Sequence, residues 1–400
     1  MAVRVAGALR STRTRRHSPA HDVPQLTAQR AGTRRSSVLE DLSRVLRWYF
    51  DNVYGRVEGP GVLPFYCDQR TVGGFAIEPV DLLSRRDAAY FRLFVALAMF
   101  QARRDVLVRR QQRMMDRAGI RALATARALK VAIAASPCPK VESAETFDLG
   151  CDVGKSFGRV DCGFRPGVPC HVKDATVALN RTGDMGKLST SAWLHLWHRS
   201  SLSSVLAGVV EQDARPTMRA VLLVERMSRV HRVGRKLATM FVSALSTPGL
   251  APGLSPWYPE VDGNELVVVD TNVARAIDRL AGKRVARTYE ARARWVRLRA
   301  AEIDLRMIRP DLPRYSPRLL QQALYRFCSR SNRVDGGDPC GEGGGTCSAC
   351  VSSICPFRSS SRARAVPSPR SLRSRTIRLE RTSGLSTNRS ARLPRTGRQE

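Results

Sequence analysis

Arg229-Val230-His231-Arg232-Val233-Gly234-Arg235-Lys236-Leu237-Ala238 opens the stretch that decides the fold, and Leu266-Val267-Val268-Val269-Asp270-Thr271-Asn272-Val273-Ala274-Arg275 closes it. Gly234 lacks a Cβ and can take a positive φ, so we expect a tight turn before a helix. A helix start offers unpaired N–H groups and the positive end of a dipole. Arg235 and Lys236 add full charges there. The first block therefore predicts an anion site, with a DNA phosphate as one candidate ligand and a plain basic helix start as the alternative.

The second block places an acidic residue directly after a short apolar run. Downstream of the turn, apolar residues recur at helical spacing at Leu237, Met240, Phe241 and Leu245, which marks a buried helix face. Asp270 follows the run Leu266–Val269. We therefore expect the amine of Lys236 and the carboxylate of Asp270 to be offered to a common site.

Charge is the most unusual property of the composition. The 400 residues hold 67 Lys and Arg against 35 Asp and Glu, a net charge of +32. Most of the basic residues are Arg, which pairs bidentately with phosphate, so nucleic acid is the expected partner before membrane. An Arg-favouring composition without function is the alternative. No apolar run is long enough to span a membrane. The Arg- and Ser-rich start favours disorder, with an organelle transit peptide as the alternative.

Two groups of cysteines are candidate metal ligands. Cys340, Cys347, Cys350 and Cys355 follow the spacing C-x6-C-x2-C-x4-C, which is typical of a zinc or iron–sulfur site, and spacing alone does not separate the two. An earlier group, Cys138, Cys151, Cys162 and Cys170 with His171, lies in a Gly- and Pro-rich segment without a C-x2-C knuckle. This group could bind zinc or could consist of loose thiols.

One predicted helix is apolar on every side. It runs from Tyr90 to Asp105, is nearly all apolar as far as Phe100, and turns polar at Gln101. A helix that is apolar all round is buried, so its polar end must emerge at a surface. The alternative is a buried helix with an ordinary polar last turn.

These motifs resemble the helix-hairpin-helix DNA glycosylase superfamily, in particular its endonuclease III-like branch. There the hairpin reads Leu-Pro-Gly-Val-Gly-Arg-Lys-Thr-Ala, and the second block reads Val-Asp-Thr-His-Val. The stretch around Gln101 resembles the family's Leu-Leu-Ser-Ala-Gln-Ala-Thr-Asp, although Asp105 falls one residue late. His231-Arg232 replaces the hairpin's Pro-Gly, and Asn272 replaces the histidine. The resemblance covers residues 85 to 118 and 215 to 357.

The resemblance implies a DNA base-excision repair enzyme, a DNA glycosylase with AP-lyase activity. Lys236 matches the lysine that attacks C1′ of the sugar, and Asp270 matches the aspartate that assists it. A nucleophilic lysine must be neutral, which desolvation or nearby cations favour. Excision requires a flipped base. The implied DNA-binding residues are Gln101, Val233, Gly234 and Arg235, with Gln101 filling the gap in the base stack.

The resemblance also implies a 4Fe–4S cluster on Cys340, Cys347, Cys350 and Cys355, which we favour over zinc. The family spacing is C-x6-C-x2-C-x5-C, and this chain is one residue short in the last interval. The cluster would be mainly structural and would shape a basic loop along the DNA backbone.

The predicted fold is mainly α, a two-lobed helix-hairpin-helix glycosylase fold with a helical barrel lobe, an iron–sulfur lobe, a long irregular insertion and disordered basic termini. Its expected segments are a disordered N-terminus (1–36), the first part of a discontinuous iron–sulfur lobe (37–95), a helical lobe with the hairpin (96–284, insertion 136–190), the second part of the iron–sulfur lobe (285–357) and a disordered tail (358–400).

A monomer that binds double-stranded DNA in the cytoplasm, associated with the nucleoid, is expected. The competing hypothesis is a DNA-binding module of the same fold that lacks chemistry, for instance in a defence or restriction system.

Overall fold

Most segments in which apolar residues recur at helical spacing form helices in the described chain. The computed structural model describes residues 25–54, 62–101, 105–115, 120, 126–135, 138–153, 161–162, 164–180, 185–198, 200–281 and 287–329. All of them belong to the first of two units of the chain, Met1–Arg358, and the second unit, Ser359–Glu400, lies outside the described residues. The described fold is mainly helical, as predicted, with a single short strand pair.

The α-helices are α1 (Gln25–Asn52), α2 (Val62–Cys67), α3 (Gln69–Val72), α4 (Pro79–Leu83), α5 (Asp87–Ala98), α6 (Asp105–Met114), α7 (Ala126–Ala134), α8 (Ala144–Gly150), α9 (His171–Asn180), α10 (Met185–Leu196), α11 (Leu202–Gln212), α12 (Pro216–Met227), α13 (Arg235–Ser246), α14 (Thr271–Ala281), α15 (Tyr289–Ala300) and α16 (Pro317–Cys328). Short 3-10 turns occur at Gly73–Phe75, Pro139–Val141, Pro248–Leu250 and Leu305–Met307. The first helix begins at Gln25, ahead of the predicted start at residue 37.

Two hydrophobic cores organise these helices. The first core is built from α2 to α13 with the loop that follows α13, and it includes Phe91, Phe94, Trp197, Phe241 and Trp257. Their rings pack edge to face, with Phe94 and Phe241 at a centroid distance of 5.1 Å. Edge-to-face packing matches the positive ring edge to the negative ring face, which adds to the stabilisation from burial.

The second core joins the beginning of the described chain to its end. It is formed by α1 with α14, α15 and α16, and Trp48 of α1 lies 5.1 Å from Phe327 of α16, edge to face. The helices of the second core therefore lie before and after those of the first core along the chain. The chain crosses from the first core to the second at Leu266 and Val267.

The buried helix predicted from Tyr90 to Asp105 is two helices instead. The apolar part is buried as predicted, with Tyr90, Phe91 and Leu93 fully enclosed. However, α5 ends at Ala98, and α6 begins at Asp105. The change from apolar to charged residues is therefore a helix boundary, and Gln101 lies in the connection.

The predicted insertion, residues 136–190, is structured where it is described. It contains α8, α9 and a two-stranded antiparallel pair, β1 (Asp161–Cys162) and β2 (Arg165–Pro169). Cys138, Cys151 and Cys170 pack as half-buried side chains against the first core. Across the described residues, no group of three or more His, Cys, Asp or Glu side chains is arranged to hold a metal ion. Nor does any described helix have the length and hydropathy needed to cross a bilayer.

Candidate active site

A turn between α12 and α13 contains the first sequence block. The N–H of Val233 donates to the carbonyl of Val230 at 2.9 Å, which closes the turn. Arg232 is the turn residue with a left-handed conformation, at φ 60°. Gly234 does not use its freedom to take a positive φ: it has φ −74° and serves as the N-cap of α13. A Cβ on Gly234 would meet no atom within 4 Å, so neither its backbone nor its packing requires glycine.

The start of α13 faces outward with unpaired amides. The backbone N–H groups of Gly234, Arg235 and Lys236 have no acceptor among the described residues, whereas the N–H of Val233 is used inside the turn and its side chain is 1% exposed. Of the predicted backbone contacts to phosphate, Gly234 and Arg235 thus keep a free donor and Val233 does not. Two cations in the first turn oppose the helix dipole, so this end is arranged for an anion and not for helix stability.

Arg235 is held beside this helix end by α15. Its Nη1 lies 3.1 Å from the Glu290 carboxylate, and its guanidinium sits 5.6 Å from the centre of the Tyr289 ring. Both members of the ion pair are about half exposed or more, at 52% and 64%. An exposed pair of this kind is weak, so a phosphate can compete with Glu290 for Arg235.

Asp270 is the residue that precedes α14. Its Oδ1 accepts the N–H of Val273 at 2.8 Å, which is the hydrogen bond of an N-cap. The amide of Asn272 lies 3.5 Å from the other oxygen, Oδ2. Asp270 is half buried, and its position is fixed by the helix that it caps.

A cavity of about 100 Å³ brings the two predicted catalytic residues together. Its wall comes from α2, α5, α6 and α13 on the side of the first core, and from residues 268 and 270 with α16 on the side of the second. The lining residues are Val62, Phe65, Tyr66, Leu97, Phe100, Arg109, Lys236, Met240, Val268, Asp270, Arg318, Gln321, Gln322, Tyr325 and Arg326. Lys236 is half buried, and its amine makes no hydrogen bond or ion pair within the described part of the chain.

The cavity is rich in positive charge. Arg109 stacks on the Phe65 ring at 4.9 Å from its centre, and Arg318 is 3% exposed. Burial lowers the pKa of Arg318 to about 10, while the charge of Asp270 acts in the opposite direction. Arg318 therefore stays charged at neutral pH. Among the described residues, Asp270 is the only carboxylate that lines this cavity.

Five of these wall residues lie on α16, and none of them was predicted from the sequence as a site residue. Arg318 donates from Nε to the Ser243 hydroxyl of α13 at 2.9 Å, and from Nη1 to the amide oxygens of Gln321 and Gln322. The sequence contains a signal for them, since the polar residues at 318, 321, 322, 325 and 326 fall at the spacing of one helix face. On a helix that is otherwise apolar, such a face must meet a polar site.

The other predicted site residues lie apart from the cavity or outside the described residues. Gln101 does not line the cavity, although its neighbour Phe100 does; the Gln101 side-chain nitrogen is buried and has no hydrogen-bond partner among the described residues. The four candidate cluster ligands lie outside the described residues, so the 4Fe–4S site stays a prediction. They are Cys340, Cys347, Cys350 and Cys355.

Two histidines, one on α10 and one just after it, have local partners. His195 Nε2 lies 3.0 Å from the Asp148 carboxylate, and the ring of His198 packs on Trp193 at 4.6 Å. Both partnerships agree with a structural role for these side chains.

Comparison of the whole chain with models of protein families, with curated proteins and with solved structures found no match.

Proposed function

We propose that this chain is a DNA glycosylase with AP-lyase activity, which removes a damaged base from double-stranded DNA. The observation that carries the proposal is the shared cavity of Lys236 and Asp270, each placed at the start of a different helix. A cleft between two cores is a common place for a ligand site. The aromatic and polar lining suits a flat heterocycle with hydrogen-bonding edges.

Lys236 is the proposed nucleophile. Its amine attacks C1′ of the flipped nucleotide, the glycosidic bond breaks, and the base leaves with that electron pair and gains a proton. The amine loses its protons as the sugar ring opens to a Schiff base. Loss of a C2′ proton then expels the 3′ phosphate by β-elimination, and water releases the lysine. Covalent catalysis of this kind needs an amine without a competing ion pair, as observed for Lys236 within the described residues.

Asp270 is the proposed partner of the developing positive charge on the sugar. Because its Oδ1 is tied to the backbone of α14, the carboxylate requires little reorganisation when the charge forms. A fixed charge in a site of low water content stabilises a transition state more than the same charge in water. The amides of Gly234 and Arg235 would hold a phosphate beside the flipped nucleotide.

The net charge of +32 supports a polyanionic partner. Four further statements remain part of this proposal: the two-lobed glycosylase arrangement, the insertion of Gln101 into the base stack, the action as a monomer, and the association with a nucleoid. The two hydrophobic cores and the helix–turn–helix segment α12–α13 agree with such a fold.

Borohydride trapping on duplex DNA with an abasic site or a damaged base tests the proposal. We expect wild-type protein to form a covalent adduct, since the Schiff base is reduced in place. Lys236→Gln should form none, and Lys130→Gln, which changes an exposed lysine of α7, should trap like the wild type. An adduct formed by Lys236→Gln would mean that another residue is the nucleophile.

The binding-module hypothesis gives a different result in the same assay. It requires that no adduct and no free base appear with any substrate, while salt-dependent DNA binding persists in Lys236→Ala and Asp270→Asn. Trapping by the wild type excludes it.

A further inference from the structure

Arg318, Gln321 and Gln322 of α16 form a polar wall of the cavity. The exposed fractions of these side chains are 3%, 2% and 6%, so what remains accessible faces the cavity that they line. Arg318 is anchored to α13 through Ser243, and its Nη1 lies 3.0 Å from Oε1 of Gln322 and also donates to Oε1 of Gln321.

This arrangement fixes the orientation of both glutamine amides. A guanidinium has donors and no acceptor, so the atom that each amide turns toward Arg318 must be its oxygen. Arg318 remains charged at neutral pH, which maintains that preference. Each amide then points its oxygen toward Arg318, and its NH2 group is the part left to meet a ligand. Neither NH2 group has an acceptor among the described residues.

The wall therefore offers hydrogen-bond donors. The one carboxylate among the described lining residues, Asp270, is tied to the α14 backbone through Oδ1 and is assigned to the sugar in the proposed mechanism, not to the base. A carbonyl oxygen on the base can accept from an amide NH2 group. An exocyclic amino group cannot, because two donors would face each other and both would stay unsatisfied in a buried site.

We propose that the cavity selects bases whose hydrogen-bonding edge carries carbonyl oxygens, and rejects bases that carry an exocyclic amino group. The substrate class is then damaged uracil- or thymine-type bases and not damaged cytosine- or adenine-type bases. This inference rests on the proposed glycosylase function. Gln321 and Gln322 are the specificity-determining residues, and Arg318 is a positioning residue that orients them.

A matched pair of lesions tests the inference. 5-Hydroxyuracil and 5-hydroxycytosine differ at ring position 4, where one has an oxygen and the other an amino group. We expect single-turnover excision from otherwise identical duplexes to favour 5-hydroxyuracil by at least about fivefold, the lower end of what an unsatisfied buried donor costs. Equal rates for the two lesions would overturn the inference.

The variant Gln322→Glu separates the role of the wall from the intrinsic stability of the two glycosidic bonds. Glutamate keeps one oxygen for Arg318 and replaces the NH2 donor with an acceptor of nearly the same size. The preference for 5-hydroxyuracil should fall by at least about fivefold, because the new oxygen can accept from the amino group of 5-hydroxycytosine. Gln321→Glu makes the same exchange one residue earlier.

Gln212→Glu is the matched control. Gln212 also accepts a hydrogen bond from an arginine, Arg226 at 3.2 Å, but it lies on the surface and outside the cavity. The Gln212→Glu variant should show the same preference for 5-hydroxyuracil as the wild type. If the wild-type preference persists in both cavity variants, it comes from the leaving groups and the inference is wrong.

Trapping on an abasic duplex distinguishes failure of the inference from failure of the function. An abasic site has no base to select. An adduct on the abasic duplex, together with equal excision of the two lesions, would support the proposed glycosylase function and refute the proposed base preference. The lack of any adduct or base release would refute both.

Discussion

Arg232 holds a backbone conformation that is unfavourable for a residue with a Cβ. Its φ is 60°, at the third position of the turn closed by Val230 and Val233. For residues other than glycine, the left-handed region costs roughly 1–2 kcal/mol. The resemblance places a glycine here in the glycosylase hairpin, and the arginine keeps the turn at the expense of strain. A turn that carries such a cost is a candidate for a functional shape.

Exchange of Arg232 for glycine and for alanine measures this strain. Both variants lose the arginine side chain, so the difference between them isolates the backbone. We expect Arg232→Gly to exceed Arg232→Ala by about 1 kcal/mol in the free energy of unfolding, measured by denaturant titration. At Arg229, an exposed neighbour without a positive φ, the order should reverse. Equal stability of the two Arg232 variants would mean that the turn relaxes in solution.

Site residues could be predicted where a local sequence signal marked them. They could not be predicted where only tertiary packing brought them together. Lys236 and Asp270 stood out because each follows a local signal, a turn and an apolar run. Arg318 and its two glutamines carry no such local signal of chemistry in the sequence. Their role depends on Ser243, far away in the chain, and no local pattern of one segment contains that contact.

Among the elements, α14 has two functions that depend on one side chain. Asp270 both caps the helix and supplies the carboxylate of the cavity. The apolar face of α14 is buried through Val273, Ala276, Ile277 and Leu280, so the helix is firmly attached to the second core. The position of the carboxylate is therefore as rigid as the helix.

Two substitutions of Asp270 separate its structural function from its chemical one. Asn is as good an N-cap as Asp, so Asp270→Asn should change the free energy of unfolding by only a few tenths of a kcal/mol. Its excision rate should nevertheless fall roughly hundredfold, because the fixed charge is gone. Asp270→Ala should lose the same activity and, in addition, about 1 kcal/mol in the free energy of unfolding. Denaturant titration and single-turnover kinetics measure the two effects. A fully active Asp270→Asn would remove the carboxylate from the mechanism.

Element boundaries were less predictable than element types. The burial of α5 followed directly from its continuous apolar residues, but its end at Ala98 did not, because the polar residues from Gln101 onward suit a helix equally well. The structured parts of the insertion were also hidden, since Gly and Pro occur in β2 and beside it as they do in loops.

At the scale of the whole molecule, the cavity exists because two cores meet. Helix α1 packs with helices from the end of the described chain, which leaves the first core to form within the intervening sequence. Composition and periodicity predicted a mainly helical protein, and this is confirmed. They could not predict which helices share a core, because amphipathic faces specify burial and not a partner.

The absorption spectrum of the purified protein tests the predicted cluster. Wild-type protein should be brown, with a broad visible band and bound iron, and Cys347→Ser should lose both. Cys170→Ser is the matched control, because Cys170 lies where no metal-holding group is found among the described residues, and it should keep its colour. A colourless wild type that contains zinc would assign the four cysteines to a zinc site.

The bridge from Ser243 through Arg318 to the two glutamines also constrains how the sequence can diverge. Loss of the arginine alone would leave three neutral groups without their common donor, and loss of a glutamine would expose a buried cation to fewer acceptors. Positions 243, 318, 321 and 322 should consequently change as a set among descendants of a common ancestor. A lineage that exchanges all four together would mark a change in the base that it recognises.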